Sequence, residues 1–180
     1  MPVITGSTTI NKDEWRTDQI LFDKVRKSLP LGIDLDAAAT KDNRLCPRYL
    51  SKEQDALASD WYQPELGIHT VWLNPPFSVS NDFLRKANEE HSKGATIICL
   101  LRADSPETSW WRSNLVTKYG YLRHQVLYLY PRLNYFNEEY EKVTGVPFPS
   151  CLVIMGHNRS HPFAPRWIEW PKYVDFKYLF

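Results

Sequence analysis

Cysteine is scarce in this sequence, and the few cysteines present show no pairing. There are three among 180 residues, and they lie far apart: Cys46, Cys99 and Cys151. No metal-ligand spacing stands out among the five histidines either: His69, His91, His124, His157 and His161. Disulfide frameworks and zinc sites need cysteines or histidines at short, repeated spacings. The pattern argues against both kinds of site, predicts no bound metal, and fits a reducing cytoplasm.

Long apolar runs are also absent. No stretch approaches the roughly 18 consecutive apolar residues that a membrane-spanning helix requires. The segment Met1–Glu14 is polar and lacks the apolar core of a secretory signal. We therefore expect neither a membrane partner nor a secretory signal.

An excess of charge of one sign is missing too. Lysine and arginine number 22 and aspartate and glutamate 21, so the net charge is only +1. A protein that coats nucleic acid passively normally carries a basic stripe. Any contact with nucleic acid would therefore depend on a local patch. Aromatic residues, by contrast, make up 14% of the chain; most are expected to fill the core, although such rings can also stack on bases.

The apolar pattern predicts helices alternating with buried strands. Helices are expected over 18–28, with Thr17 or Asp18 as N-cap, and over 79–93 and 106–118. Strands are expected within 31–40 and 69–74 and over 95–101, 124–130 and 150–155. Strands of continuous apolar residues that alternate with helices indicate a mostly parallel sheet covered on both faces, an α/β doubly wound fold. The last two strands, separated by an irregular acidic segment at 137–145, can form an antiparallel edge.

The length predicts a single domain over 1–180, with 1–12 and 162–180 as loosely attached ends. Ligands of such sheets bind at the carboxyl ends of the strands. In this sequence, the residues that could bind a ligand or take part in catalysis follow the predicted strands.

The strongest chemical signal is Asn74-Pro75-Pro76-Phe77, directly after a predicted strand. An exocyclic amine is a poor nucleophile because its lone pair is delocalised. Two hydrogen-bond acceptors, one for each amino N–H, can localise that lone pair: the Asn74 side-chain carbonyl and the Pro75 backbone carbonyl. The two prolines fix the direction of the carbonyls, and Phe77 offers a face on which a base can stack. A strand that ends in an ordinary proline loop is the alternative.

Weaker signals lie upstream of this motif. The sequence Asp34-Leu35-Asp36 followed by three alanines, Ala37–Ala39, places carboxylates and small residues at the end of an early strand, which suits a nucleoside-bearing cofactor. Two solvated acids at a strand end are the alternative. Trp15 and Thr17 before the first helix, and Asp55 before Trp61, are not informative alone.

In this order, the motifs resemble those of the phage-type DNA N6-adenine methyltransferases, a Dam-like group carried by bacteriophages and prophages. The resemblance runs from about Trp15 to Ile154. It rests on W-x-T at 15–17, D-x-A-A at 36–39 with Asn43, D-A-L at 55–57 with Trp61, and N-P-P-F at 74–77. Further downstream it rests on Leu100-Leu101 leading to Thr108 and Trp111, Arg132-Leu133 with Phe136, and P-F-P-S at 147–150.

This resemblance implies a Rossmann-like methyltransferase fold, S-adenosylmethionine as methyl donor and adenine in DNA as acceptor, in the cytoplasm of a bacterial host cell. It assigns cofactor contacts to six residues: Trp15, Thr17, Asp36, Ala37, Asn43 and Asp55. The chain departs from the family in having Asp18 where proline is usual and Phe77 where tyrosine is commoner. Only the ring is needed for stacking, so the second change is expected to be harmless.

Four arginines near the predicted catalytic edge are candidates for DNA contact: Arg44, Arg48, Arg102 and Arg132. The N-P-P-F chemistry also suits an amine in RNA or a glutamine amide in protein. A non-catalytic DNA-binding relative is a further alternative, although a binder has no need of Asn74 and both prolines. A metal-dependent nuclease is disfavoured because no ligand spacing stands out.

Overall fold

The computed structural model describes residues 4–5, 12–144, 146–156 and 165–169, and within them the chain forms α-helices and short strands. The helices are α1 (Gln19–Ser28), α2 (Ser80–Lys93) and α3 (Ser109–Leu115). The strands are β1 (Ile4–Thr5), β2 (Leu35–Asp36), β3 (Arg48–Tyr49), β4 (Thr70–Leu73), β5 (Thr96–Arg102), β6 (Gln125–Tyr130), β7 (Tyr135–Phe136), β8 (Lys142–Thr144), β9 (Ser150–Met155) and β10 (Arg166–Glu169).

The main sheet has the strand order β10-β6-β9-β5-β4-β2-β3. Strand β9 runs antiparallel to both of its neighbours, β5 and β6, and every other pair in this sheet is parallel. The predicted class is confirmed: the sheet is mostly parallel, and the last two apolar strands, β6 and β9, pair antiparallel on one side of it. Strand β10 adds a parallel partner beyond β6.

Alternate residues of the central strands face two separate apolar layers. Trp72 and Ile98 pack in the layer that contains α1, whereas Val71 and Ile97 pack in the layer that contains α2 and α3. Helices therefore cover both faces of the sheet. This double burial explains why the apolar residues of β4 (71–73) and β5 (97–101) are continuous and do not alternate with polar ones.

A second, three-stranded sheet has the order β1-β8-β7 and packs through Tyr135 and Val143 against the layer that contains α1. The prediction that 137–145 is irregular is wrong in part, because this segment contains β8, which pairs with β7 and with β1. The strand is too short, and too charged at its start, for its periodicity to be visible in the sequence.

The two ends of the chain, predicted to be loosely attached, are described in part. Ile4–Thr5 pairs with β8, and Arg166–Glu169 pairs with β6. The other residues of 1–11 and of 157–180, apart from Pro165, lie outside the described residues. The single domain over 1–180 stays a prediction.

The ends of the helices follow local chemistry. Asp18 is the N-cap of α1, and its carboxylate accepts the Ile20 N–H at 2.8 Å. Helix α2 ends at Gly94, whose φ of +128° and close approach to Tyr62, 2.9 Å from where a Cβ would lie, both favour glycine. Helix α3 is shorter than the predicted 106–118, because Val116 is extended and bridges to Leu122.

All three cysteines are buried and unpaired, and burial raises the pKa of each thiol. Among the described residues, no three or more of His, Cys, Asp and Glu come together as a metal site would require. In the same part of the chain, no helix has the length and apolar character needed to cross a membrane.

Candidate active site

One edge of the main sheet gathers the predicted site residues. The parallel strands β2, β4, β5 and β6 all end at this edge, and β9 begins there because it runs the opposite way. Asp36 and Arg102 are therefore the last residues of their strands, Asn74 follows β4, and Arg132 follows β6. This is the edge at which α/β sheets bind ligands.

The orientation of the Asn74 side chain is set by a backbone carbonyl. Its Nδ2 donates to the carbonyl oxygen of Trp15 at 3.3 Å. A carbonyl can only accept, so the amide nitrogen must face Trp15 and Oδ1 must point away from it. Oδ1 is buried and has no hydrogen-bond partner among the described residues. A buried acceptor without a partner is costly, and such atoms in native proteins call for an explanation.

The two proline carbonyls that follow differ in their use. The Pro76 carbonyl accepts the Val79 N–H at 3.2 Å and the Ser80 hydroxyl at 3.0 Å, within the short 3₁₀ turn that leads into α2. The Pro75 carbonyl accepts no hydrogen bond within the part of the chain that the structure describes. Asn74 Oδ1 and the Pro75 carbonyl oxygen are thus two neighbouring acceptors that the fold leaves unused.

Phe77 is part of a cluster of aromatic rings. The ring centroids of Phe148, Trp15 and Tyr135 lie 5.3, 6.2 and 6.4 Å from that of Phe77, each at a steep interplanar angle. Tyr135 is itself fixed by a hydrogen bond of 2.9 Å between its hydroxyl and that of Ser150. The cluster therefore holds the Phe77 ring in one orientation, half-buried.

A small cleft opens between the ends of β4 and β5, and Phe77 forms part of its wall. Its lining residues are Pro75, Phe77, Ser80, Leu100, Leu101, Arg102, Ser105 and Trp110. The Arg102 guanidinium lies 4.6 Å from the ring centroid of Phe148 and 5.6 Å from that of Phe77. It also forms an ion pair with Asp104, and the hydrogen bond from Arg102 holds the pKa of the Asp104 carboxyl below its usual value.

The two aspartates around β2 make hydrogen bonds at opposite edges of the sheet. Asp34 accepts the N–H groups of His69 and Thr70, each at 2.9 Å, and so anchors the start of β4. Asp36, at the Asn74 edge, is buried and accepts the N–H groups of Leu45 at 3.0 Å and Ala38 at 3.4 Å. Burial raises the pKa of Asp36 to about 6, although these hydrogen bonds act to lower it.

The other predicted cofactor residues occupy three segments. Trp15 and Thr17 are buried just before α1, and Asp18, not Thr17, caps that helix. Ala37 is buried, and Asn43 Oδ1 accepts the Thr40 N–H at 2.6 Å. These two segments flank the Asn74 edge. The first contacts Asn74 through the Trp15 carbonyl, and the second contacts β4 through a hydrogen bond of 2.9 Å from the Ala37 N–H to the Trp72 carbonyl.

Asp55 lies in a third segment, in an exposed turn with a φ of +50°. Its carboxylate accepts the Ala58 N–H at 3.3 Å. Its contacts among the described residues are local, so nothing in this turn brings Asp55 to Asn74.

The four candidate arginines are spread over the molecule. Arg102 and Arg132 lie at the Asn74 edge, and Arg132 Nη1 donates to the Val146 carbonyl at 3.1 Å. Arg44 is exposed and stacks over the ring of Tyr49, 5.2 Å from its centroid. Arg48 Nη1 donates to the Leu66 carbonyl at 2.9 Å, which draws it toward the segment before β4, at the opposite edge.

The sequence assigned no role to several residues of the site. Tyr135 and Phe148 form the aromatic cluster, and Trp110 lines the cleft. Asp13 accepts both the backbone N–H and the hydroxyl of Ser78 and so ties the N-terminal segment to the N-P-P-F turn. A signal existed for Phe148, which lies inside the P-F-P-S element, whereas a single acid such as Asp13 carries no signal in the sequence.

The chain is similar to known proteins over most of its length. A model of the family DNA N-6-adenine-methyltransferase (Dam) matches residues 5–167. The chain is similar to the DNA N-6-adenine-methyltransferase of Escherichia phage T1, with 38% identity over 78 residues, which are 43% of this chain and 31% of the relative. It is also similar to the protein of the same name from Haemophilus phage HP1 (strain HP1c1), with 29% identity over 104 residues, 56% of each chain. The matches thus span less than two thirds of either relative's length.

Proposed function

The chain belongs to the DNA N-6-adenine-methyltransferase (Dam) family, and we propose that it transfers a methyl group from S-adenosylmethionine to the N6 amino group of adenine in DNA. The observation that supports this most directly is the pair of unused acceptors, Asn74 Oδ1 and the Pro75 carbonyl, beside an aromatic ring. Adenine has an amino group with two N–H donors and a ring with a π face to stack, and this arrangement matches both.

Asn74 and Pro75 act on the acceptor nitrogen. Each of their two oxygens accepts a hydrogen bond from one N6–H, which draws the nitrogen lone pair out of conjugation with the ring and directs it away from both oxygens. Once the methyl group has been transferred, the nitrogen carries a positive charge and releases one proton to solvent. The Trp15 carbonyl keeps Asn74 Oδ1 turned toward the base. The prolines keep the backbone carbonyl in place, so little reorganisation is required when the reaction occurs.

The cofactor would be held by the two segments that flank the Asn74 edge. When bound, S-adenosylmethionine supplies a methyl group attached to a positively charged sulfur, and once the methyl group is transferred the rest of the cofactor leaves as a neutral thioether. Asp36 can accept hydrogen bonds from hydroxyl or amino groups, and the small buried Ala37 allows close approach of the backbone. The indole Nε1 of Trp15 is a buried donor without a partner among the described residues, so the donor and acceptor set fits a polar nucleoside.

DNA would present its adenine to the cleft between β4 and β5. A base inside a duplex cannot reach a recessed acceptor pair, so the adenine must leave the stack. Phe77 then stacks on the extruded base, and Arg102 and Arg132 contact the surrounding strand. Since the relatives with this name are phage proteins, we propose that the reaction takes place in the cytoplasm of a bacterial host cell.

The direct test is methyl transfer from labelled S-adenosylmethionine to three acceptors. The expected product is N6-methyladenine in DNA, identified by nuclease digestion and mass spectrometry. Label in RNA or on protein glutamine, with none in DNA, would assign the same chemistry to another acceptor. A wild-type protein that binds DNA but not S-adenosylmethionine would be a non-catalytic relative.

Replacement of Phe77 tests the stacking role. We expect Phe77→Tyr to be nearly neutral, because the ring is retained, and Phe77→Ala to lose stacking worth about 1–3 kcal/mol. The measurement is kcat/KM for DNA, with melting temperature as the folding control. If tyrosine harmed the enzyme as much as alanine, Phe77 would serve only the aromatic cluster, and the stacking role would be wrong.

The raised pKa of Asp36 predicts how cofactor binding depends on pH. The carboxylate form is the stronger acceptor, and it dominates above the pKa of about 6. The dissociation constant for S-adenosylmethionine should therefore be constant above this pH and rise as the pH falls below it. Titration calorimetry across the range checks this. Asp36→Asn should bind more weakly and without the acid branch; an unchanged branch in this variant would locate the titration elsewhere.

Removal of Arg132 should weaken DNA binding. A phosphate-contacting arginine contributes about one unit to the slope of log affinity against log salt, so Arg132→Ala should reduce that slope by about one. Arg48→Ala is the matched control, because its guanidinium is drawn to the opposite edge of the sheet. Wild-type affinity, salt slope and choice of methylated site in Arg132→Ala would make Arg132 structural.

A further inference from the structure

Strand β7 of the hairpin β7–β8 is hydrogen-bonded to residues 15–17, the first of the two segments proposed to hold the cofactor. Arg16, between Trp15 and Thr17, exchanges two backbone hydrogen bonds with Phe136: the Arg16 N–H donates at 2.8 Å, and the Phe136 N–H donates back at 3.1 Å. These two hydrogen bonds join the hairpin to the segment proposed to hold the cofactor.

The turn that closes this hairpin is built around the buried Asn137. Asn137 Oδ1 accepts the Glu141 N–H at 2.8 Å, and Asn137 Nδ2 donates to the Glu141 carboxylate at 3.1 Å. The Asn137 carbonyl accepts the Tyr140 N–H at 3.0 Å. These bonds hold Tyr140 at a φ of +58°, a backbone conformation that a tyrosine rarely adopts.

In this position the Tyr140 side chain reaches both cofactor segments. The Arg16 guanidinium lies over its ring, 4.2 Å from the centroid. Its hydroxyl donates a short hydrogen bond to the carbonyl of Asp42, the neighbour of Asn43. The side chain is 58% exposed, so burial of apolar surface does not explain its place.

We infer that Tyr140 is a positioning residue that fixes the distance between the two cofactor segments, 15–17 and 36–43, so that they are preorganised for S-adenosylmethionine. This inference rests on the proposed function. A side chain that contacts both segments holds them in place before the cofactor binds, so binding loses less conformational entropy. The backbone strain at Tyr140 is consistent with a functional position of this kind.

The test is the affinity of Tyr140→Phe and Tyr140→Ala for S-adenosylmethionine, measured by titration calorimetry. Both variants keep a Cβ at φ +58°, so they change the side-chain contacts and not the backbone strain. Phenylalanine loses the hydrogen bond to Asp42 and should weaken binding about threefold; alanine also loses the contact with Arg16 and should weaken it about tenfold. KM for the cofactor should rise in parallel, while kcat at saturating cofactor stays at the wild-type value.

Tyr121→Ala is the matched control. Tyr121 is also exposed (56%), but it lies in the turn before β6, at the edge opposite Asn74, and its loss should leave cofactor affinity unchanged. Wild-type cofactor affinity in Tyr140→Phe, or an equal loss in Tyr121→Ala, would overturn the inference. If Tyr140→Ala fails to fold, Tyr140→Phe decides alone. A wild-type protein that does not bind S-adenosylmethionine overturns the proposed function together with the inference.

Discussion

Asn74→Ala is expected to lose methyl transfer by a factor on the order of 10² or more while S-adenosylmethionine binding stays nearly intact. Alanine removes one of the two acceptors for the adenine amino protons. That acceptor acts mainly in the transition state, since only there is the nitrogen lone pair needed, so the loss appears in kcat. Asn74 Oδ1 has no hydrogen-bond partner among the described residues, so within them the substitution breaks only the hydrogen bond from Nδ2 to the Trp15 carbonyl.

Single-turnover methylation and titration calorimetry with S-adenosylmethionine separate this effect from misfolding. Asn74→Asp adds a graded comparison: it keeps an acceptor oxygen but replaces the Nδ2 donor with an oxygen that faces the Trp15 carbonyl. We expect its rate to fall between those of wild type and Asn74→Ala. Near-normal turnover by the alanine variant would exclude the proposed role of Asn74.

Glu90→Ala is expected to be the most destabilising of the substitutions considered, by about 3–5 kcal/mol. Glu90 is completely buried, and its Oε2 accepts the N–H groups of Trp61 at 3.0 Å and Tyr62 at 2.9 Å. Its Oε1 lies 2.7 Å from the Nζ atoms of both Lys86 and Lys93. Alanine would leave the buried Lys86 ammonium and two backbone donors without their acceptor.

Denaturant unfolding measures this loss, with Glu89→Ala as the matched control. Glu89 is the exposed neighbour on the same helix, and its replacement should change the free energy of unfolding by no more than about 0.5 kcal/mol. Equal stabilities of the two variants would show that the network around Glu90 contributes little.

The pKa of Glu90 gives this network a pH dependence. Burial raises the pKa and is the largest single influence on it, but the hydrogen bonds from Lys86, Lys93 and the backbone N–H groups of Tyr62 and Trp61 together outweigh burial and hold the pKa below the ordinary glutamate value. A carboxyl whose pKa is lower in the folded than in the unfolded state stabilises the fold above the unfolded-state pKa. This stabilisation is lost as the pH falls from the unfolded-state pKa through the lower pKa of the folded state. Glu90→Gln should therefore flatten the acid branch of the curve of unfolding free energy against pH.

The candidate site was predictable where its residues adjoin a strongly apolar strand. Asn74–Phe77 follows β4, and the direction of a parallel strand already places the motif at the binding edge. Arg48 shows the limit of this reasoning. It lies near Arg44 in the sequence, yet its hydrogen bond to Leu66 draws it to the other edge of the sheet, a contact between segments that no local pattern encodes.

The hairpin β7–β8 shows the same limit for the fold. Its strands have two and three residues, too few for a period of two to stand out among the charges of 138–142. One of its strands also bridges to Arg16, far away in the chain, through Phe136.

The α/β class, the buried strands and the N-P-P-F motif can all be predicted from the amino-acid sequence, because each depends on hydrophobic periodicity or on residues that are adjacent in the chain. Two features become visible only in the folded protein: Asn74 Nδ2 faces the Trp15 carbonyl and leaves Oδ1 unused, and Tyr140 connects Arg16 with Asp42. These contacts join residues far apart in sequence. Their geometry depends on how the layers pack, and that packing is a property of the whole fold.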